Sequence, residues 1–572
     1  MSKPFYESPL EGRYASEAMR RVFSPDHRYG TWRRLWLALA EAEQQLGLPV
    51  TDAQLDELRA HLDDIDYDVV RAHEERVRHD VMAHVLALGD LCPTARPIIH
   101  LGATSCYVTD NADLLLLREA LELIRGKLCE ALHALGDFAL KTKDIPCVGL
   151  THLQAAQPLT VGRRAACWAQ DLLQDLTDLD ALLPSIKLLG CRGATGTQAS
   201  FLDLFDGDVD KVEAMEQAIS QKLGGLPVFD VSGQTYPRKL DARVLNLLAS
   251  LGISCYRFAQ DVRLLQSRGE MEEPFGTSQI GSSAMAYKRN PIRAERACSL
   301  SRHLIALSQD AAMTACTQWC ERTLDDSANR RIALPEAFLT ADAVLDIVIY
   351  LARGLVVYPK MCERGLRDAL PFIATENIMM ESVKRGGNRQ ELHEALRVHS
   401  HAAAARVKLE GGQNDLIDRI AADPMFPLTK AEILEQLDPQ QRASVFAHLD
   451  DSRATEAISE MEDEYQAEFI DDLPDARAAE LIGNMDPDDA ADIVRDLPYE
   501  KAETLLRLMG VEDAAEIRRL LGYKDGTAGG MMTTQFVSVP KTATVADTIE
   551  VLRALPEDHP TVHYVYITDE YG

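Results

Sequence analysis

The sequence holds no run of 18 apolar residues, the length a helix needs to cross a membrane, so no span is expected. Its opening, MSKPFYESPLEGRYAS, lacks the apolar stretch of a secretory leader. The 11 cysteines form no CxxC pair and no metal-ligand spacing. An odd, dispersed set in a chain without an export signal points to reduced thiols and the cytoplasm. Positive charge is scarce: 60 Lys and Arg stand against 90 Asp and Glu, a formal net charge of −30. That argues against a nucleic-acid partner, which needs a basic footprint.

Hydrophobic residues make up 46% of the 572 positions and charged residues 26%, a globular balance with length for several domains. The acid is uneven, because about −18 of the charge falls on residues 441–572. Two different parts are therefore expected. In the first, short helical patterns and turns fill residues 1–105. From Asn111 onward Leu117, Leu121, Ile124, Leu128, Leu132 and Leu135 recur at three- and four-residue steps, the stripe of a long amphipathic helix. Similar stretches lie around 160–182, 240–266, 293–317 and 334–357, separated by loops rich in Gly, Ser and Thr. They predict a mostly helical, elongated bundle with few strands. In the second part Leu437, Leu449, Met461, Leu473, Met485, Leu497 and Met509 lie twelve apart, with prolines marking turns. A twelve-residue period predicts one short helix per unit, each burying its apolar side on its neighbours. After Gly529 the pattern reads turn–strand, helix, strand.

Four segments carry groups suited to chemistry. Gly281-Ser282-Ser283-Ala284-Met285-Ala286-Tyr287-Lys288-Arg289-Asn290-Pro291 suits a mobile loop that closes over an anion, although a plain flexible turn has the same composition. A serine there acts as a base only with a cation and backbone N–H groups to hold its alkoxide. Thr151-His152-Leu153-Gln154 offers a histidine, which alone is more often structural. His100-Leu101-Gly102-Ala103-Thr104-Ser105 offers hydroxyls for a carboxylate or, more plainly, a helix N-cap. Glu321–Arg331 (ERTLDDSANRR) is a dense charged run of the kind that usually forms a solvated face.

Taken together, these segments resemble the fumarase/aspartase superfamily, whose signature loop GSSxMPxKxN is close to GSSAMAYKRNP. With SPLEGRYAS (8–16), RHDVMAH (78–84), GATGTQAS (193–200) and SGQTYPRK (232–239), the match is closest to the adenylosuccinate lyase family, from about residue 5 to about 425. The resemblance implies β-elimination of fumarate from a succinylated purine nucleotide, with no cofactor required. It implies Ser282 as the general base, His152 as the general acid and His79 as an accessory histidine flanked by Arg78 and Asp80. Lys288 and Asn290 would hold carboxylates and developing charge, and Thr104, Ser105 and Gln234 would touch substrate. Arg13, Tyr14, Arg296, Arg322, Ser327 and Arg331 would contact the nucleotide and its phosphate. It further implies a homotetramer whose active sites each draw on three chains. Two departures stand out: Ala286 and Ala155 replace prolines usual in the family. Each loosens backbone near a catalytic group, so a lower kcat with intact chemistry is expected. Other readings are a sister lyase, such as argininosuccinate lyase, and a non-catalytic, magnesium-responsive regulator on a lyase scaffold.

Past about 425–440 the resemblance changes. The repeats and the segment Thr527–Thr534 resemble the cytosolic part of an MgtE-type magnesium transporter: its helical N domain, then half of a CBS domain. That likeness implies possible Mg²⁺ binding on the acidic segment, with Asp486, Asp488, Asp489 and Asp492 as contributors; the plainer reading is a solvated acidic surface. The expected parts are 1–104, an N-terminal lyase domain; 105–357, the long-helix bundle; 358–436, a truncated C-terminal lyase domain; 437–525, the repeats; and 526–572, a partial α/β CBS-like unit.

Overall fold

The computed structural model describes residues 5–435, 454–455, 458–459, 461, 463–523, 527, 537–554 and 565–569. Its contacts separate two compact units: Met1–Pro146 with Leu159–Cys362, and Cys147–Pro158 with Glu363–Gly572.

The first unit is a bundle of five long helices, Ser105–Lys141, Val161–Leu182, Lys239–Ser267, Ile292–Cys316 and Asp326–Gly354. At about 1.5 Å per residue the first is roughly 55 Å long. The expected helices are present, with two shifted boundaries, and the first begins at Ser105 rather than Asn111. The last begins at Asp326 rather than near 334, so the charged run forms its first turns. Ala333, Ala337, Phe338, Ala341, Val344, Leu345, Val348 and Ala352 are all buried on that helix. It packs on helices Ser105–Lys141, Lys239–Ser267 and Ile292–Cys316. Val356–Val357 then pairs antiparallel with Met271–Glu272 and closes the connection. Ahead of the bundle lie shorter helices, among them Pro25–Gln45, Tyr67–Val77 and Asp80–Leu91, capped by Ser24, Asp66 and His79.

Glu43 is a liability in this unit. It is 0% exposed, and neither carboxylate oxygen has a hydrogen-bond partner. Burial pushes its pKa up to about 8 from an ordinary 4.5. The folded-state pKa is raised, so the stability is whole below pH 4.5 and is lost as pH rises through 8. Relative to Glu43→Gln, the wild type is expected to lose about 3 kcal/mol between pH 5.5 and 8.5, at ~1.4 kcal/mol per unit. Urea unfolding of both proteins at the two pH values checks this, and an unchanged gap counts against it.

In the second unit, strands Pro146–Thr151 and Gln154–Thr160 form a hairpin. Val148 on it packs with Leu366 and Leu370 of helix Pro359–Ile373. Helices Thr375–Lys384, Arg389–Glu410 and Leu416–Ala421 follow. The repeat helices Asp463–Asp472, Asp475–Gly483, Pro487–Asp496, Tyr499–Leu508 and Val511–Leu521 start twelve residues apart, as the period predicts. Links of two or three residues turn the chain sharply, so each helix packs on the next but one rather than on its immediate neighbour. A continuous core runs from Leu392 and Phe426 through Phe469, Ile482 and Ile493 to Ile517. Beyond it, Val537–Pro540, Val545–Arg553 and Val565–Thr568 form strand, helix and strand, the strands parallel. Residues 528–536, with most of the motif after Tyr523, lie outside the described residues. Among the described residues no helix is long and apolar enough to cross a membrane. None of the cysteines, all among the described residues, is joined in a disulfide.

Candidate active site

A cleft of about 860 Å³ opens in the first unit. Nine residues singled out in the sequence line it: Arg78, His79, Asp80, Thr104, Ser105, Gln234, Arg322, Ser327 and Arg331. Three chain segments meet there because of specific backbone contacts. The Gln234 N–H donates to the Glu321 carbonyl at 3.0 Å, which brings SGQTYPRK against ERTLDDSANRR. A Cβ on Gly233 would stand 2.7 Å from that same carbonyl, so only glycine permits the approach. Thr104 occupies the N-cap position of helix Ser105–Lys141 without capping it. Its hydroxyl donates instead to the Arg192 carbonyl at 3.3 Å. The first N–H groups of a 37-residue helix are thereby left without a side-chain cap at the cleft, an arrangement that favours an anion.

The cleft carries paired charge. Arg331 donates to Asp80 at 2.7 Å. Burial pushes the Asp80 carboxyl up, but hydrogen bonds from Arg331 and the Val81 N–H outweigh it and hold the group below the usual range. His79 caps helix Asp80–Leu91 through Nδ1, which accepts from the Met82 N–H at 3.3 Å, and leaves Nε2 free of that bond. Beneath the cleft is a network that sequence reasoning missed. Arg238 reaches Asp326 at 2.6 Å and Asp110 at 3.1 Å, and Arg330 reaches Asp241 at 2.6 Å and Asp113 at 3.2 Å. Arg322 joins it through Asp326 at 2.8 Å, and Arg28 through Asp113 at 3.0 Å. Arg238 and Arg330 stand inside the quoted segments, and a count of arginines there was the available signal. His100 was also missed as a site residue. It lines the cleft with a left-handed φ of 67°. Its Nδ1 accepts from Trp36 Nε1 at 2.9 Å, leaving Nε2 to donate. Burial, and then the charge of His79, lower its pKa to about 4, so it is neutral at physiological pH.

The remaining site residues do not line this cleft. Ser282 is half-buried in the signature loop, where its Oγ accepts from the Ala284 and Met285 N–H groups at 3.4 and 3.1 Å. Asn290 Nδ2 donates to the Gly281 carbonyl at 2.8 Å and ties the loop's ends together. A Cβ on Gly281 would lie 2.2 Å from the Lys288 carbonyl, so the pinch demands glycine. Lys288 itself is exposed. Tyr14 has two guanidinium groups near its ring, Arg13 at 5.8 Å and Arg296 at 5.4 Å from the centroid. His152 belongs to the second unit, at the tip of the hairpin. His152 and Leu153 both have positive φ, 54° and 57°. In the acidic C-terminal segment, Asp492 pairs with Arg495, and Asp488 and Asp489 lie in the first turn of their helix. Among the described residues, no three His, Cys, Asp or Glu side chains are grouped to hold a metal ion.

The first unit is thus an elongated helical bundle with a polar, arginine-rich cleft. The fold is shared with solved structures. A fumarate lyase from Mesorhizobium sp. BNC1 superposes with a TM-score of 0.65 at 24% identity, over 77% of this chain and 96% of that one. A 3-carboxy-cis,cis-muconate lactonizing enzyme from Pseudomonas putida does so with 0.65 at 24%, over 78% and 98%. Family models described as Lyase and as Adenylosuccinate lyase C-terminus match residues 15–305 and 371–444. The adenylosuccinate lyase of Saccharomyces cerevisiae is 52% identical over 77% of this chain and 91% of its own length. That of Schistosoma mansoni is 48% identical over 76% and 91%. That of Pyrococcus abyssi is 34% identical over 68% and 85%. The chain belongs to the adenylosuccinate lyase family. Residues 425–526 match a model described as the MgtE intracellular N domain. The C-terminal lyase match and the second match overlap over residues 425–444.

Proposed function

We propose that this chain eliminates fumarate from adenylosuccinate, giving AMP, and from SAICAR, giving AICAR. The observation that carries the reading is an arginine-lined cleft into which an uncapped helix N-terminus opens, in a chain half identical to enzymes of that name. Ser282 takes the proton from the carbon beside a succinyl carboxylate. Lys288 and the loop N–H groups hold the charge that develops. His152 protonates the departing nitrogen, and the electron pair of the broken C–H bond closes the fumarate double bond as C–N cleaves. Thr104, Ser105, Gln234 and Asn290 hold the substrate's carboxylates. Arg13, Tyr14, Arg296, Arg322, Ser327 and Arg331 hold its nucleotide end, where arginine forks match phosphate. Fumarate release, followed by absorbance with adenylosuccinate, SAICAR and argininosuccinate, tests this: turnover of the third alone overturns it.

The separation of Ser282 and Lys288 from the cleft supports a homotetramer with shared sites. Mixing inactive Ser282→Ala chains with inactive Arg322→Met chains is then expected to restore about a quarter of wild-type activity, the share of sites drawing both groups from intact donors. Activity that stays at the parents' level after subunit exchange means each site is built from one chain. We place the enzyme in the cytoplasm and keep the five-part division, including the CBS-like unit, as the working organisation. A magnesium response of residues 437–572 rests on resemblance alone. Unchanged hydrogen exchange there across a magnesium titration removes it.

A further inference from the structure

We propose that Asp342 and Ser16 form a clamp that positions Arg13 and Tyr14 for the nucleotide. The proposal rests on the reading that those two residues contact the nucleotide.

The chain enters the bundle through a π-helical turn, Leu10–Tyr14, then passes through extended Ala15 and Ser16 into helix Glu17–Val22. Ser16 is the junction. Its backbone N–H donates to Asp342 Oδ2 at 2.6 Å and its hydroxyl to Asp342 Oδ1 at 3.0 Å. Asp342 is 0% exposed, in the middle of helix Asp326–Gly354. Its Oδ1 is also paired with Lys127 Nζ, 2.6 Å away on helix Ser105–Lys141. A buried carboxylate held by three donors on two segments is a fixed point. Tyr14 lies two residues from Ser16, so its Cα is within about 7 Å of the clamped residue's Cα. Its ring has the Arg13 and Arg296 guanidinium groups on it. The helix after Ser16 has anchors of its own: Met19 and Val22 are buried, and Phe23 lies 5.5 Å from Phe338. The turn before Ser16 buries only Leu10. The clamp therefore fixes the segment that needs it, the one with the nucleotide-facing side chains.

Ser16 also caps helix Glu17–Val22, its Oγ accepting from the Met19 N–H at 3.3 Å. The two roles separate by substitution. Ser16→Thr keeps the hydroxyl and both roles. Ser16→Asp keeps a good helix cap but sets a like charge against Asp342. Ser16→Ala loses both. Positioning of a binding group predicts a change in affinity, not in the chemical step.

The experiment measures AMP binding by calorimetry and the kinetics of adenylosuccinate cleavage on the full-length proteins, with circular dichroism as the folding control. Ser16→Ala is expected to weaken AMP binding and raise KM about 5–10-fold, with kcat within about twofold. Ser16→Asp is expected to weaken both at least as much, and Ser16→Thr to stay close to wild type. Wild-type AMP affinity in Ser16→Asp reduces Ser16 to a helix cap and overturns the clamp, as does a fall in kcat alone. If the wild type binds AMP, the variants weaken it in the stated order and no fumarate is released, the clamp stands and the elimination reading fails.

Discussion

His152→Gln is expected to lower kcat for adenylosuccinate cleavage by about 10²–10⁴-fold, the range for loss of a general acid, without disturbing assembly. The nitrogen leaves poorly as an anion, and imidazole alone has an ordinary pKa suited to protonating it near neutrality. The backbone at His152 sharpens the expectation. A two-residue hairpin turn with positive φ at both positions favours Asn-Gly or its like, and L-residues with larger side chains cost about 1–2 kcal/mol each there. This turn carries His152 and Leu153, and Leu153 is 64% exposed, so packing does not compensate for it. Retention of a strained His-Leu pair at an exposed tip fits a functional demand on that tip. The double change His152→Asn with Leu153→Gly is therefore expected to raise the melting temperature while abolishing turnover. Steady-state kinetics, sizing and thermal melts decide it. Turnover of His152→Gln within tenfold of wild type assigns the acid elsewhere.

The parts of this fold that were legible in advance are those with a strong period. The five long helices follow from apolar steps of three and four, and the repeat helices start at the predicted twelve-residue interval. What was not legible depends on contacts between distant segments. A period sets the length of a repeat but not the angle at its link, so stacking on the next but one helix was not foreseen. The hairpin is built from residues such as Gln154-Ala155-Ala156-Gln157, which have no marked strand preference; its pairing comes from context. The charged run at 321–331 reads as a solvated face, yet Asp326 is 1% and Arg330 7% exposed. Charges of opposite sign arriving from residues 110, 238 and 241 make that burial tolerable, and no local pattern reveals it. The same holds for the site. Its segments were recognisable, but the placement of Ser282 and Lys288 outside the cleft could not be read from spacing.

Arg238→Met is expected to destabilise the folded chain by about 3–5 kcal/mol, the cost of leaving buried charge without its partner. Arg238 is 3% exposed and lies 4.4 Å over the Tyr236 ring. It holds Asp326 on one side and Asp110 on the other, at 1% and 2% exposure. Burial pushes the Asp110 carboxyl up, and Arg238 is the largest influence opposing it. For Asp326 burial acts in the same direction, but Arg238 and Arg322 outweigh it and hold the group below its ordinary value. Removing the guanidinium lets burial act on Asp110 with less opposition, so its folded-state pKa rises further; stability is then lost as pH rises through that value. Asp326 loses the charge that kept its pKa depressed, and with it the stability that was present above its unfolded pKa. The Asp326 loss is already complete at pH 5, whereas the Asp110 loss grows above it, so the gap between wild type and variant is wider at pH 8 than at pH 5 because of Asp110. Lysine is not expected to rescue, because a single ammonium cannot reproduce the fork that spans two carboxylates. Neutralising the acids together with the cation, in Arg238→Met with Asp110→Asn and Asp326→Asn, is expected to recover part of the loss, since a pair removed whole leaves no bare charge. Urea unfolding across pH 5–8 checks all three statements. A cost below about 1 kcal/mol, or a gap that narrows with rising pH, means that water or a shift of Arg330 satisfies the two carboxylates and that the network beneath the cleft is not the anchor described here.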